Sequence, residues 1–172
     1  MLYRDQCESM NILSLNICGT GGRDSNKKEK ICKILNKFMM NFVRLQQTFM
    51  KTDNLFSLRS IWDNSQFDYA FVPLSGHSGG IVSIWNPYIF DKHRIISNPN
   101  VLIVEGRWLN IKLDIYMVNV YAPQDEKGKQ HLWRYITEFM SSNLGHYIIF
   151  GDFNFIRHRS ERFGSTFSIT NV

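Results

Sequence analysis

Polar side chains end four apolar stretches of this sequence, and their types suit acid–base chemistry or the holding of a ligand by hydrogen bonds. They are Asn16 after ILSL, Gln47 after VRLQ, Asn119 and Tyr121 after IYMV, and Asp152 and Asn154 after YIIFG. A carboxylate accepts protons, whereas amide and phenol groups donate hydrogen bonds. Each residue alone is more typical of a turn, a cap or an ordinary surface position. Their recurrence at matching positions favours a functional rim, because rigid scaffolds usually carry function at strand ends and loops.

The length and composition of the chain fit one domain. Its 172 residues, of which 44% are hydrophobic, can bury one core. The net charge of +5 suits an anionic partner such as nucleic acid, and equally an ordinary solvated surface. The spacing of the cysteines and histidines argues against a structural zinc site or a disulfide framework. No apolar stretch approaches the roughly 18 residues that span a bilayer, and the N-terminus carries acids where a signal peptide is apolar. We therefore expect a soluble intracellular protein with no membrane partner.

The N-terminal third predicts the order strand, helix, strand, helix. An alternating pattern starts a strand at Ile12 or Leu13 that ends near Asn16 to Gly19, and FVRLQQTF forms the second strand. Asn26 and Glu29 resemble a capping box at the start of the first helix. The apolar positions of this helix are Ile31, Ile34, Leu35, Phe38 and Met39, and those of the second helix are Leu55, Leu58 and Trp62.

The middle of the chain is rich in predicted strands. FDYAFVPL, GGIVSIWNP, NVLIVEGRWL and IKLDIYMVNVYAP should form antiparallel neighbours, with Leu109 and Asn110 as a tight connection between the last two. A third helix precedes the last strand, YIIF, and its apolar positions are Leu132, Tyr135, Ile136, Phe139 and Met140. Trp85, Trp108 and Trp133 lie among apolar neighbours and are interpreted as core. Helices around central strands predict an α+β domain with sheets inside and helices outside.

Five segments of the chain resemble a known family in their order and approximate spacing. They are LSLNICG, FVRLQQTF, SGHSGGIVSIWNP, VNVYAP and GDFNFIRHRSER. The family is the endonuclease/exonuclease/phosphatase superfamily, and the resemblance covers nearly the whole chain. Within it, the chain is most similar to the apurinic-type endonuclease domain of plant non-LTR (LINE-type) retrotransposon polyproteins, which also carry a reverse transcriptase. The pair NVYAP and GDFN is fairly specific.

This resemblance implies a four-layered α/β sandwich of the DNase I-like type, and phosphodiester cleavage by an activated water with Mg²⁺ or Mn²⁺. The implied catalytic residues are Asp152, Asn154, Tyr121 and Asn16; the implied metal ligands are Asn16 and Gln47; the implied phosphate ligands are Asn119, Tyr121 and Asn154. Asp152 would orient or deprotonate the water. A phosphoryl centre that gains charge needs a cation and fixed donors, and these residue types suit that need.

Two departures from the family's pattern lower the expected activity. Gln47 stands where active relatives have a metal-binding Glu, and Cys18 stands where some have a further acid. Mg²⁺ prefers carboxylate oxygen, so both changes weaken its binding. The family's late motifs, an Asp in a strand loop and a terminal Ser-Asp-His, have no counterpart before Val172. The sequence therefore predicts one domain over residues 1–172 that lacks its C-terminal part, with weak or absent catalysis.

Two alternatives remain open. The first is a phosphatase of the same superfamily that acts on a phosphate monoester or a lipid headgroup. The second is a non-catalytic nucleic-acid-binding remnant of a decayed retroelement, with phosphate contacts from Lys27, Lys28, Arg157, Arg159 and Arg162. The resemblance also implies DNA as the partner, a reverse transcriptase domain in the full polyprotein, and a nuclear location.

Overall fold

Eight strands and three helices make up the part of the chain that the computed structural model describes, which is residues 9–17, 25–48, 55–62, 66–73 and 80–155. The strands are β1 (Ile12–Asn16), β2 (Phe42–Gln46), β3 (Asp68–Val72), β4 (Ile81–Trp85), β5 (Phe90–Asn98), β6 (Val101–Trp108), β7 (Leu113–Tyr121) and β8 (His146–Asp152). The helices are α1 (Ser25–Lys37), α2 (Leu55–Ile61) and α3 (Glu126–Ser142).

The strands form two sheets, ordered β1-β2-β4-β3 and β5-β6-β7-β8. One parallel pair occurs in each sheet, β1 with β2 and β7 with β8, and the remaining pairs are antiparallel. The C-terminal ends of these four parallel strands therefore lie at the same end of their sheets. We call this end of the sandwich the rim, and the opposite end the base.

Three apolar clusters place the layers of the sandwich. The first joins the two sheets face to face, with Phe42 and Trp85 of one sheet packed against Phe90 of the other. The second covers the outer face of the first sheet with α1 and α2, and the third covers the outer face of the second sheet with α3. This arrangement confirms the predicted four-layered α/β sandwich.

Strand β2 is buried at every residue because it has a helix layer on one side and the second sheet on the other. Side chains alternate along a strand, so Arg44 and Gln46 share the face of Phe42 and point between the sheets. Val43 and Leu45 pack in the outer cluster instead. The sequence thus places two polar side chains inside the sandwich, close to its rim.

Several predicted elements are confirmed, and some need correction. β5 was not predicted, and β4 and β6 are not neighbours because they belong to different sheets. The connection between β6 and β7 is longer than two residues, since β6 ends at Trp108 and β7 begins at Leu113. In α1 only Ile31 and Leu35 reach the core. No described helix is both long and apolar enough to cross a membrane.

The interpretation of Trp133 as core is wrong. Its side chain is 41% exposed, whereas Trp85 and Trp108 are fully buried as predicted. Its neighbour Leu132 occupies the buried face of α3, and a rotation of about 100° per residue turns the next position away from the sheet.

Candidate active site at the sheet ends

A hydrogen bond between the two sheets forms the centre of the rim. Asn16, at the end of β1, donates from Nδ2 to Oδ2 of Asp152, at the end of β8, over 2.7 Å. The other oxygen of Asp152 accepts from the backbone N–H of Asn154 at 3.0 Å, which turns the chain immediately after the strand. Asn154 in turn donates from Nδ2 to the carbonyl of Ala122 at 2.6 Å. Three residues predicted from the sequence are therefore in contact: Asn16 at the end of the first sheet, and Asp152 and Asn154 at the end of the second.

A second pair lies at the ends of β2 and β7. Gln47 donates from Nε2 to the hydroxyl of Tyr121 at 3.1 Å, again between the two sheets. Tyr121 pairs with Asp152 in the register of β7 and β8, so the two hydrogen-bonded pairs are neighbours. Asn100, in the turn after β5, accepts from the backbone N–H of Tyr121 and donates to its carbonyl, each at 2.9 Å. Asn16, Gln47, Tyr121, Asp152 and Asn154 therefore lie together at the rim, and we call them the rim residues.

Backbone geometry at the rim is unusual at two of these residues. Gln47 has φ 53° and Asn154 has φ 47°, both in the left-handed region. Residues other than glycine adopt this backbone region at a cost in conformational energy, and such residues concentrate at functional sites. Gly151, which precedes Asp152, has φ 155°, and a Cβ atom there would lie 1.9 Å from the carbonyl oxygen of Val120. The glycine of GDFN is thus required by the close approach of β7.

A buried cation links the strands directly beneath the rim. Arg44 donates from Nη1 to the carbonyl of Val118 and from Nη2 to Oδ1 of Asn119, both at 2.9 Å, and also to the carbonyl of Phe150. In the amide orientation that satisfies its neighbours, Gln46 accepts from Arg44 Nη2 at 3.0 Å. Arg44 therefore connects β2 to β7 and β8, the strands that carry Tyr121 and Asp152.

Asn119 belongs to this buried network and not to the rim surface. Its side chain is fully buried, and it accepts from Arg44 while it donates to the carbonyl of Val82 at 3.2 Å. In the described structure it supports the strand that carries Tyr121. The described structure shows no such surface position for Asn119, so its contact with a phosphate stays a prediction.

The charge of Arg44 has no counter-ion among the described residues. Its side chain is fully buried, its guanidinium lies against the ring of Phe150, and no described carboxylate pairs with it. Burial away from water lowers the pKa of Arg44 from its ordinary value, while the three oxygen atoms that accept its hydrogen bonds stabilise the charged form. Phe150 and Asn119 each precede a rim residue by two positions, so a positive charge beneath the rim favours negative charge at it.

The rim offers oxygen atoms, which a hard cation prefers, but it has few negatively charged ones. Asp152 is the one carboxylate of the rim, and the described residues contain no group of three or more His, Cys, Asp or Glu that could hold a metal. The amide oxygens of Asn16 and Gln47 accept no hydrogen bond within the described part of the chain and could add two neutral ligands. A bound Mg²⁺ would neutralise charge that develops on a phosphate.

The remaining predicted residues are either engaged elsewhere or lie outside the described residues. Lys27 donates from Nζ to the carbonyl of Ile17 at 2.7 Å, and Lys28 donates to the hydroxyl of Ser57 at 3.0 Å. These bonds tie α1 to β1 and to α2. Four residues that the sequence analysis singled out lie outside the described ranges: Cys18, Arg157, Arg159 and Arg162.

Sequence reasoning missed Arg44 and Asn100. Arg44 had a signal, because it is a charged residue within the apolar strand FVRLQ. Such a residue must find polar partners inside the protein. Asn100 lies in the turn SNPN, where an asparagine is ordinary, and its contact with Tyr121 depends on a long-range approach.

The fold is similar to that of several solved structures. A truncated TDP2 of Caenorhabditis elegans matches with a TM-score of 0.63 and 16% identity over 85% of this chain. A mannosyl-6-phosphatase of Bacteroides thetaiotaomicron matches with a TM-score of 0.64 and 15% identity over 88% of this chain. An endonuclease/exonuclease/phosphatase family protein of the same bacterium matches with a TM-score of 0.63 and 14% identity over 87%. The chain therefore has the DNase I-like α/β sandwich fold of these proteins.

The match covers only part of each of these larger proteins. The chain spans 62% of the length of the truncated TDP2, 68% of the phosphatase and 64% of the third protein. No protein-family model matches the chain, and no curated protein matches it. The sequence suggests that the domain lacks its C-terminal part, and this stays a prediction.

Proposed function

We propose that the rim is a phosphoester site and that its substrate is a nucleic-acid phosphodiester, with slow hydrolysis. The observation that carries this proposal is the hydrogen-bonded contact of Asp152 with Asn16 and of Tyr121 with Gln47 across the two sheets. A mannosyl-6-phosphatase and an endonuclease/exonuclease/phosphatase family protein have the same fold, which supports the same chemistry.

The rim residues suggest a division of roles. Asp152 is the base that orients or deprotonates the attacking water, because it is the carboxylate of the rim. The Tyr121 hydroxyl, which accepts from Gln47, donates its own proton to the phosphate, and Asn154 donates once the ligand replaces the Ala122 carbonyl. Such fixed donors stabilise developing charge. Asn16 keeps the Asp152 carboxylate in place through its 2.7 Å bond. Asn16 and Gln47 would hold a divalent cation with Asp152.

The low negative charge of the rim is the reason that we expect hydrolysis to be slow. A divalent cation bound by one carboxylate and two amides is held more weakly than one with several carboxylates. The buried charge of Arg44 also opposes a cation at the rim. We infer that Mg²⁺ or Mn²⁺ activates the reaction only at high concentration.

The retroelement resemblance makes the proposal more specific. It favours DNA as the substrate, nicked at a target site in the nucleus, with a reverse transcriptase domain in the full polyprotein. The motifs NVYAP and GDFN, which supply Tyr121, Asp152 and Asn154, support this version. A decayed, non-catalytic form of the same protein would bind DNA without cutting it.

Nicking of supercoiled plasmid DNA tests the proposal. We expect the purified chain to nick slowly with Mg²⁺ or Mn²⁺, and Asp152→Ala to abolish the reaction. Asp114→Ala is the matched control, because Asp114 is an exposed aspartate near the base of β7 and its loss should leave nicking unchanged. Equal nicking by the wild type and Asp152→Ala would refute the role of the rim. Fast nicking at low metal concentration would refute slow hydrolysis.

A phosphatase is the second candidate, since a phosphatase is among the proteins with this fold. It predicts that p-nitrophenyl phosphate is hydrolysed faster than bis(p-nitrophenyl) phosphate. The opposite preference supports the diesterase. In both assays the activity must depend on Asp152.

A further inference from the structure

An exposed aromatic pair lies beside the rim and has no role in the site described above. The ring of Trp133, on α3, stacks on the ring of Phe153 with centroids 5.6 Å apart and planes inclined by 24°. Trp133 is 41% exposed, although exposing a large aromatic side chain forgoes its burial energy. Phe153 also packs partly against the core beneath α3, so the pair is held in place.

This pair is adjacent in sequence to the rim. Phe153 lies between Asp152 and Asn154, whose positions are fixed by the 3.0 Å bond between the Asp152 carboxylate and the Asn154 backbone N–H. Consecutive Cα atoms are about 3.8 Å apart, so the Phe153 side chain starts within one residue of the proposed base. Consecutive side chains of a strand point to opposite faces, so Asp152 faces the other sheet while Phe153 packs in the cluster under α3. A ligand would have to cross the end of β8 to reach from the rim to the Trp133 ring.

A third aromatic residue extends the surface. Phe155 is 68% exposed, and Lys129 Nζ lies 5.9 Å from the centre of its ring. Lys129 is one helical turn before Trp133 and pairs with Glu126 at 2.9 Å. We call Trp133, Phe153 and Phe155 the aromatic platform. It presents exposed aromatic rings, and such rings stack the bases of single-stranded nucleic acid in proteins that bind it.

We propose that the aromatic platform stacks a nucleobase of a single-stranded nucleic acid whose backbone phosphate lies at the rim. This inference rests on the proposed function and makes its substrate more specific. The exposed face of Trp133 takes the base, and Phe153 fixes the indole from the other side. Lys129, whose side chain is 11% exposed and paired with Glu126, lies against Phe155 and adds little net charge to the surface. Because every base has a flat face, the platform favours unpaired nucleotides over a particular sequence.

Intrinsic fluorescence provides a direct measurement, because Trp133 is far more exposed than the three other tryptophans of the chain. Trp62 is 8% exposed, and Trp85 and Trp108 are fully buried. We expect a short oligothymidylate to quench the emission of Trp133 and to protect it from acrylamide. An abasic deoxyribose-phosphate oligomer of the same length and charge should do neither.

Binding of fluorescein-labelled oligothymidylate, followed by anisotropy, gives the effect of each variant. We expect Trp133→Leu to weaken binding about tenfold, the order of one lost base stack. The control is Phe38→Leu, which removes an exposed aromatic, 53% accessible and with Lys37 Nζ 5.3 Å from its ring, near the base. This variant should bind like the wild type. If Trp133→Leu fails to fold, Phe155→Leu provides the same comparison at a more exposed position.

Each outcome decides the proposal. Quenching by the oligothymidylate alone, with weaker binding by Trp133→Leu only, supports the platform. Equal binding of the base-containing and abasic oligomers, with no effect of Trp133→Leu, overturns it and leaves the phosphate site in place. Absence of binding by both oligomers overturns the platform and the nucleic-acid substrate together, while hydrolysis of p-nitrophenyl phosphate would still reveal a phosphatase.

Discussion

Replacement of Gln47 by glutamate should increase the affinity of the rim for divalent cations. The rim has one carboxylate, Asp152, and Gln47 is connected to it through Tyr121, which accepts from Gln47 at 3.1 Å and is the register partner of Asp152. A second carboxylate at this position would face the same cation as the first. Gln47→Glu differs from the wild type by one amide nitrogen, so the shape of the rim should be retained.

The size of the effect follows from the added charge. Two unit charges 4 Å apart attract by about 4 kcal/mol at the effective dielectric constant near a protein surface, so a divalent cation gains about 8 kcal/mol. Desolvation of the cation and of the new carboxylate, and repulsion from Asp152, oppose this gain. If about a quarter of it remains, roughly 2 kcal/mol, the affinity increases about thirtyfold.

Titration with Mn²⁺, followed by electron paramagnetic resonance of the free ion, measures this affinity. Gln66→Glu is the matched control, because Gln66 is exposed and precedes β3 at the base of the sandwich. It adds the same charge far from the rim and should leave Mn²⁺ affinity unchanged. In the double variant Gln47→Glu/Asp152→Asn the gain should disappear.

Two results would contradict this reasoning. If Gln47→Glu binds Mn²⁺ no more tightly than the wild type, then Gln47 does not face the cation. If Gln66→Glu gains as much, the effect is one of net charge and not of the rim. Circular dichroism of each variant verifies that the fold is retained.

Three further predictions concern stability and are measured by urea unfolding. Arg44→Met removes the hydrogen bonds from Arg44 to Val118, Asn119 and Phe150, each worth about 1 to 3 kcal/mol, and relieves the burial of a cation, so we expect a net loss of about 2 kcal/mol; unchanged stability would show that the network is dispensable. Gly151→Ala should cost about 3 kcal/mol or more, because its Cβ would meet the Val120 carbonyl oxygen at 1.9 Å; a smaller loss would mean that β7 and β8 separate easily. Burial, together with the charge of Glu105, raises the pKa of Tyr116 above 10.0, so this tyrosine ionises in the unfolded chain first and stability falls as the pH rises above about 10. Tyr116→Phe should make that fall shallower, and an unchanged slope would contradict this assignment.

The sequence predicted the parts of the fold that depend on local pattern. β1, β2 and α3 follow from alternating or helical spacing, and the motifs of the rim lie at strand ends as expected. Parallel pairing of β7 with β8 brings Tyr121 next to Asp152, as a shared rim requires. These features could be predicted because the hydrophobic pattern sets both the element type and its buried face.

The features that could not be predicted depend on the environment of single residues. β5 carries a charged run from Asp91 to Arg94 and five consecutive exposed positions, so no alternation marks it as a strand. Trp133 has the same apolar neighbours as a core residue and differs only in its direction on α3. Asn119 was assigned to the rim surface, but its burial results from the approach of Arg44 from the other sheet. Contacts between distant segments decide all three cases.

The burial of Arg44 has a consequence for the ionic strength at which a ligand can be held. Dissolved salt screens charges at the protein surface with a Debye length of about 10 Å at 0.1 M, but it screens buried charges much less. Surface lysines therefore lose their attraction for a phosphate chain as salt is added, whereas Arg44, which is fully buried, keeps its contribution. A single phosphate at the rim should thus remain bound in salt that releases the flanking strand, whose affinity depends steeply on displaced counterions.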